Sequence, residues 1–171
     1  MNRLLVIIGI LVIIPLAIFF VSDADLYLIF SSPPNDSAFA DQVIWITGAS
    51  SGIGAALAKD LVSSGARVIL SARRKEQLEL VAEKCKGKYP PLIIQLDVLD
   101  YEAQKVAFEN IMKTYGKLDR IVLNAGRSQR MLGVNASLEV TKDLMELNFL
   151  SFVKLATLVL PDMMEKKTGS T

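Results

Sequence analysis

Three glycines at fixed offsets, in Ile46-Thr47-Gly48-Ala49-Ser50-Ser51-Gly52-Ile53-Gly54, carry the plainest chemical signal in the chain. The first permits a tight turn, the second lets backbone approach a pyrophosphate, and the third lets the following helix pack closely. The first turn of that helix offers unpaired N–H groups to an anion. Ser50 and Ser51 add hydroxyls for phosphate or ribose. A ligand-free glycine turn is the plain alternative. It is the weaker one, because an apolar run ends at Thr47 and a helix-forming segment rich in Ala and Leu follows Gly52. Strand, turn and helix in that order are the setting a dinucleotide loop requires.

The next candidates, Arg73 and Arg74, close the segment ILSARRKE. An NAD site usually places an acid here to accept hydrogen bonds from the ribose 2′-hydroxyl, whereas a 2′-phosphate needs positive charge. A guanidinium holds phosphate through two parallel charge-assisted hydrogen bonds, so NADP(H) is expected over NAD(H). The plain alternative is that both arginines begin a solvated helix with Lys75 and Glu76. Tyr101 and Lys105, in YEAQK, have the spacing that some nicotinamide oxidoreductases use for a proton donor. Spacing alone is weak support. Asp100 is a suitable helix cap, so the pair is expected on a surface helix with Tyr101 at its first turn, out of reach of a nicotinamide.

These residues need a scaffold, and the hydrophobic pattern supplies one. The apolar runs VIWIT, RVILSA, PLIIQL and RIVLN alternate with longer helix-like segments. Apolar residues at nearly every position suit parallel strands covered on both faces. The expected fold is α/β, a Rossmann-like doubly wound parallel sheet, preceded by an N-terminal hydrophobic helix. Residues 4–21, LLVIIGILVIIPLAIFFV, contain no charge; as a helix they would reach about 27 Å, close to a bilayer core. A retained membrane anchor is favoured over a cleaved signal peptide, although Ser22 and Ala24 would suit a cleavage site. The expected organisation is an anchor or signal over residues 1–22, a linker over 23–40 and a partial nucleotide-binding domain over 41–171.

Composition excludes more than it identifies. A formal charge of +1 on 171 residues advertises no nucleic-acid surface. One cysteine, Cys85, and no histidine leave no internal disulfide and no zinc cluster, so no metal is expected. Cys85 is read as a half-buried structural thiol.

Thr47-Gly48-Ala49-Ser50-Ser51-Gly52-Ile53-Gly54 resembles the TGxxxGxG fingerprint of the short-chain dehydrogenase/reductase family. Asp97-Val98 follows the third strand as that family's adenine-contacting Asp does, and Leu123-Asn124-Ala125-Gly126 stands where its NNAG motif lies. The resemblance covers roughly residues 42–170 and makes Asn148 the family's structural active-site Asn. It departs at Leu123, where the family has Asn. It departs further after Asn148, because the family's catalytic Ser and its Tyr-x-x-x-Lys do not follow within these 171 residues.

The resemblance implies an oxidoreductase that moves a hydride between nicotinamide and a carbonyl or secondary alcohol. An apolar substrate such as a steroid or retinoid suits a membrane-tethered enzyme, and a homodimer is open for the full-length form. The chain is expected to be C-terminally truncated and inactive by itself, with RIVLN left as a sheet edge. A non-catalytic, membrane-anchored nucleotide-binding isoform stays open as the alternative. A sugar-nucleotide epimerase or a methyltransferase fits the glycine spacing less well. Arg3 precedes the apolar run and no Lys or Arg follows until Lys59, so the domain is expected to be lumenal, in the endoplasmic reticulum membrane.

Overall fold

The computed structural model describes residues 38–129 and 137–166. The apolar run at residues 4–21 and the linker up to residue 37 lie outside them. The described elements are β1 (Val43–Thr47), α1 (Gly52–Ser63), β2 (Arg67–Ala72), α2 (Lys75–Lys84), β3 (Leu92–Gln95), α3 (Tyr101–Tyr115), β4 (Arg120–Val122), α4 (Leu138–Met145) and α5 (Ser151–Glu165). A wider π turn, Glu146–Leu150, joins α4 to α5.

The four strands pair in parallel in the order β3-β2-β1-β4. This is the α/β, Rossmann-like sheet expected from the apolar runs, with β4 as an edge among the described strands. Every residue of VIWIT is buried, because both faces of β1 are covered. Side chains alternate across the sheet. Val43 and Trp45 join the core packed under α3 and α5, while Ile44 and Ile46 join the one packed under α1 and α2. Trp45 donates from Nε1 to Ser71 Oγ at 2.9 Å, which satisfies its polar edge inside the sheet.

Helix boundaries follow local chemistry. Asp100 Oδ1 accepts from the Ala103 N–H at 3.0 Å and starts α3. Gly116 ends it in the left-handed region, φ 72°. At the amino-terminal ends of the strands Asp119 accepts from Val43 N at 2.7 Å and pins β1 to the start of β4. Among the described residues, one helical stretch, Leu138–Glu165, is long and apolar enough to cross a membrane by length and composition. Leu155, Val159 and Met163 on its inner face belong to the domain core, so here it serves as a packing helix.

Candidate functional site

The strand order places a switch between β1 and β4. In open parallel sheets, ligands bind outside the carboxyl ends of the strands at such a point. A cleft of about 300 Å³ lies there. Its lining takes Gly48, Ser50 and Ser51 from the loop after β1, Arg73 and Arg74 from the end of β2, Asp97 and Val98 from beyond β3, and Asn124, Ala125 and Gly126 from beyond β4.

The loop after β1 is held against the turn after β4. Thr47 Oγ donates to Val122 O at 3.2 Å and accepts from the backbone N–H groups of Asn124 and Ala125, at 3.0 and 3.1 Å. Asn124 Nδ2 donates to Thr47 O and Gly48 O at 3.1 and 3.2 Å. One Asn therefore satisfies two carbonyls, and Leu123 turns instead toward the core under α3 and α5. A Cβ on Gly48 would stand 2.7 Å from Ala125 Cα, and one on Gly54 would stand 2.6 Å from Asn124 Nδ2. Gly48 also has φ +68°, where L side chains are strained. Both glycines exist because two backbone segments meet here.

Not every candidate residue reaches the cleft. Thr47 is fully buried and acts from behind it, as Gly54 does. Gly52 and Ile53 form the exposed first turn of α1, with Ile53 78% exposed. Ser51 occupies the N-cap position of α1 without making a side-chain cap. Its hydroxyl is engaged elsewhere, since Arg74 Nη2 donates to Ser50 Oγ at 3.2 Å and to Ser51 Oγ at 3.4 Å. That guanidinium bridges the glycine loop and the end of β2. Neither Arg73 nor Arg74 has an ion-pair partner among the described residues.

Asp97 Oδ1 accepts from Leu99 N at 3.0 Å, which shapes the turn after β3. Asn148 lies within the π turn, a helix widening that is common at functional sites. Its side chain clasps one residue's backbone: Arg127 N donates to Oδ1 at 3.0 Å, and Nδ2 donates to Arg127 O at 2.8 Å. This fixes the backbone that leaves Gly126.

Ala72, Leu96, Arg127 and Leu147 also line the cleft, and the motif reading missed them. Ala72 and Leu96 sit beside residues it named, so their places follow from the strand ends. Arg127, which pairs with Asp143 at 3.9 Å, and Leu147 have no pattern of their own.

Tyr101 begins α3 and Lys105 stands one turn further on, and neither belongs to this lining. Lys105 Nζ lies 4.5 Å from the centre of the Tyr101 ring and is paired with Glu102 at 2.8 Å. The hydrogen bond to Glu102 raises the pKa of Lys105. Tyr101→Phe and Lys105→Met are each expected to leave nucleotide affinity unchanged and to shift melting only slightly, as surface substitutions away from a site do. Nucleotide titration and thermal melting of the two variants check this, and a large loss of affinity in either would refute it. Cys85 is half-buried, its Sγ donates to Val81 O at 3.3 Å, and desolvation pushes its thiol pKa up. A raised thiol pKa suits a structural role rather than a nucleophile.

The residues present fit a dinucleotide. The cradle at Gly48 and Gly54 has no room for a side chain, and among the described residues the α1 N-terminus has no side-chain cap and the two arginines flanking the loop have no ion-pair partner.

Residues 42–171 match the family model described as short chain dehydrogenase. The chain is 39% identical over 168 residues to "Dehydrogenase/reductase SDR family member 7" of Mus musculus, covering 94% of this chain and 50% of that protein. It is 33% identical over 129 residues to "11-beta-hydroxysteroid dehydrogenase-like 2" of Arabidopsis thaliana, covering 74% of this chain and 42% of that one. Among solved structures, a metagenomic short-chain oxidoreductase in complex with NADP aligns with a TM-score of 0.71 at 30% identity, covering 78% of this chain and 61% of that chain. The chain spans about half the length of the curated relatives it matches.

Proposed function

The chain belongs to the short-chain dehydrogenase family, and on that premise we propose that it forms the coenzyme half of an NADP(H)-dependent oxidoreductase interconverting a carbonyl and a secondary alcohol. The carrying observation is the convergence of the Gly48 loop, the Arg73-Arg74 edge and the Asn124-Ala125-Gly126 turn on one cleft at the sheet's switch point.

In this reading the backbone of residues 48–54 and the hydroxyls of Ser50 and Ser51 hold the pyrophosphate, with the α1 N-terminus adding its dipole. Arg73 and Arg74 neutralise a 2′-phosphate, and the lack of an acid at the end of β2 removes the partner that an unphosphorylated ribose would use. Asp97 and Val98 border the adenine side. Asn124, Ala125 and Gly126 border the nicotinamide side, and Asn148 fixes the backbone that follows them. The bound coenzyme supplies the hydride. No proton-transfer group is assigned among the described residues. A steroid or retinoid carbonyl is the proposed substrate class, and the printed name of the Arabidopsis relative supports the steroid.

The test is turnover by the full-length protein supplied with NADPH and a panel of apolar ketones and aldehydes. Coenzyme oxidation matched by alcohol formation is expected. Coenzyme binding without turnover on any carbonyl would favour the non-catalytic nucleotide-binding isoform instead.

Membrane attachment through residues 4–21, with a lumenal domain in the endoplasmic reticulum, completes the proposal. Asn35-Asp36-Ser37 and Asn135-Ala136-Ser137 are glycan acceptors that report the side. Microsomal expression is expected to give a glycosylated, protease-protected domain. A protease-sensitive domain without glycan would place it in the cytosol.

A further inference from the structure

Gln104 is a fully buried amide on α3 that the glycine-loop reading leaves without a role. Its Nε2 donates to Val98 O at 2.6 Å and, at a longer 3.4 Å, to Ser151 O. Its Oε1 is buried and has no hydrogen-bond partner among the described residues. Both groups facing the amide nitrogen are carbonyl oxygens. Reversing the amide would set oxygen against oxygen, so the donor must point this way.

One carbonyl belongs to a residue that lines the cleft, and the other to a residue next to the turn that carries a second lining residue. Val98 lines the cleft in the turn after β3. Ser151 follows the π turn that carries Leu147 and Asn148, and its Oγ donates to Leu147 O at 2.6 Å. Leu147 lines the cleft in turn. Contacts therefore run from Val98 through Gln104 and Ser151 to Leu147, behind the cleft floor. The other buried residues of α3, Ala107 and Ile111, are apolar and can fill space. Neither type of side chain can fix the distance between two carbonyls.

We propose that Gln104 is a positioning residue that holds the Asp97-Val98 turn and the Asn148-bearing turn at the separation a bound nucleotide requires. The proposal rests on the coenzyme reading above. Gln104→Met keeps the length and removes the donor. It also removes the orphaned Oε1 acceptor while leaving Val98 O without its partner, so its effects on stability oppose each other.

Three forms of the full-length protein, wild type, Gln104→Met and Gln104→His, are titrated with NADPH and with 2′,5′-ADP, and their melting is followed in parallel. The Met variant is expected to bind 2′,5′-ADP about tenfold more weakly per folded molecule, the factor that corresponds to one positioned hydrogen bond. The His variant, which can donate from its own Nε2, is expected to recover most of that loss. A Met variant with wild-type affinity for 2′,5′-ADP overturns the proposal whatever its melting temperature, because a merely structural residue would move only the latter. So does a His variant as weak as the Met variant. Wild-type protein that binds neither ligand overturns the coenzyme reading itself, which the wild-type titration alone decides.

Discussion

Gly48→Ala in the full-length protein is expected to destabilise the domain by about 2–5 kcal/mol, combining ~1–3 for overpacking with ~1–2 for a left-handed backbone. The added Cβ meets Ala125 Cα at 2.7 Å and Ala125 N at 2.9 Å, so backbone must move. The segment that moves is the Asn124-Ala125-Gly126 turn, one wall of the cleft. Nucleotide binding should therefore fail in whatever fraction still folds. Gly116→Ala is the control. Its φ of +72° is nearly the same, but nothing lies within 4 Å of the new Cβ. It should cost only the conformational term, ~1–2 kcal/mol, with no effect on nucleotide affinity. Thermal melting and nucleotide titration of the pair separate strain from contact. Equal losses in the two variants would show that the contact between the β1 and β4 loops does not matter.

Arg73→Asp is expected to weaken NADP(H) binding by about 2–5 kcal/mol, since it removes a cation from the phosphate and adds a repelling carboxylate. NAD(H) should lose much less, so the preference between the coenzymes should collapse or reverse. Arg74 differs from Arg73 because its guanidinium already donates to Ser50 and Ser51. Arg74→Ala should therefore weaken both coenzymes, by loosening the loop as well as by losing charge. Titrating both coenzymes against both variants checks the assignment. An unchanged ratio of affinities in Arg73→Asp would remove it.

Much of the sheet was legible because parallel strands buried on two faces leave uninterrupted apolar runs, and VIWIT and RVILSA coincide with β1 and β2. The other two runs overreach. RIVLN shortens to Arg120–Val122 because Asn124 leaves the ladder, its N–H going to Thr47 Oγ and its side chain to the carbonyls of Thr47 and Gly48. PLIIQL shortens to Leu92–Gln95. The glycine loop was legible because its constraints are local: turn, close approach and helix packing each act within a few residues. Its partner contacts were not. The bonds from Asn124 and Ala125 to Thr47 join residues more than seventy positions apart. Arg127 and Leu147 reach the cleft through the Asn148 clasp and the π turn, which no periodicity announces. Gln104 was only half hidden. With Ala107 and Ile111 it follows the spacing of an inward helix stripe, and a polar residue on such a stripe invites a search for its partners.

Fluorescence titration of the full-length protein with NADPH, competed separately by 2′,5′-ADP and by 5′-AMP, tests the cleft assignment most directly. Saturable NADPH binding is expected, displaced far more effectively by 2′,5′-ADP than by 5′-AMP because only the former offers Arg73 and Arg74 a phosphate. Equal displacement by the two nucleotides, or no saturable binding of NADPH, would contradict it.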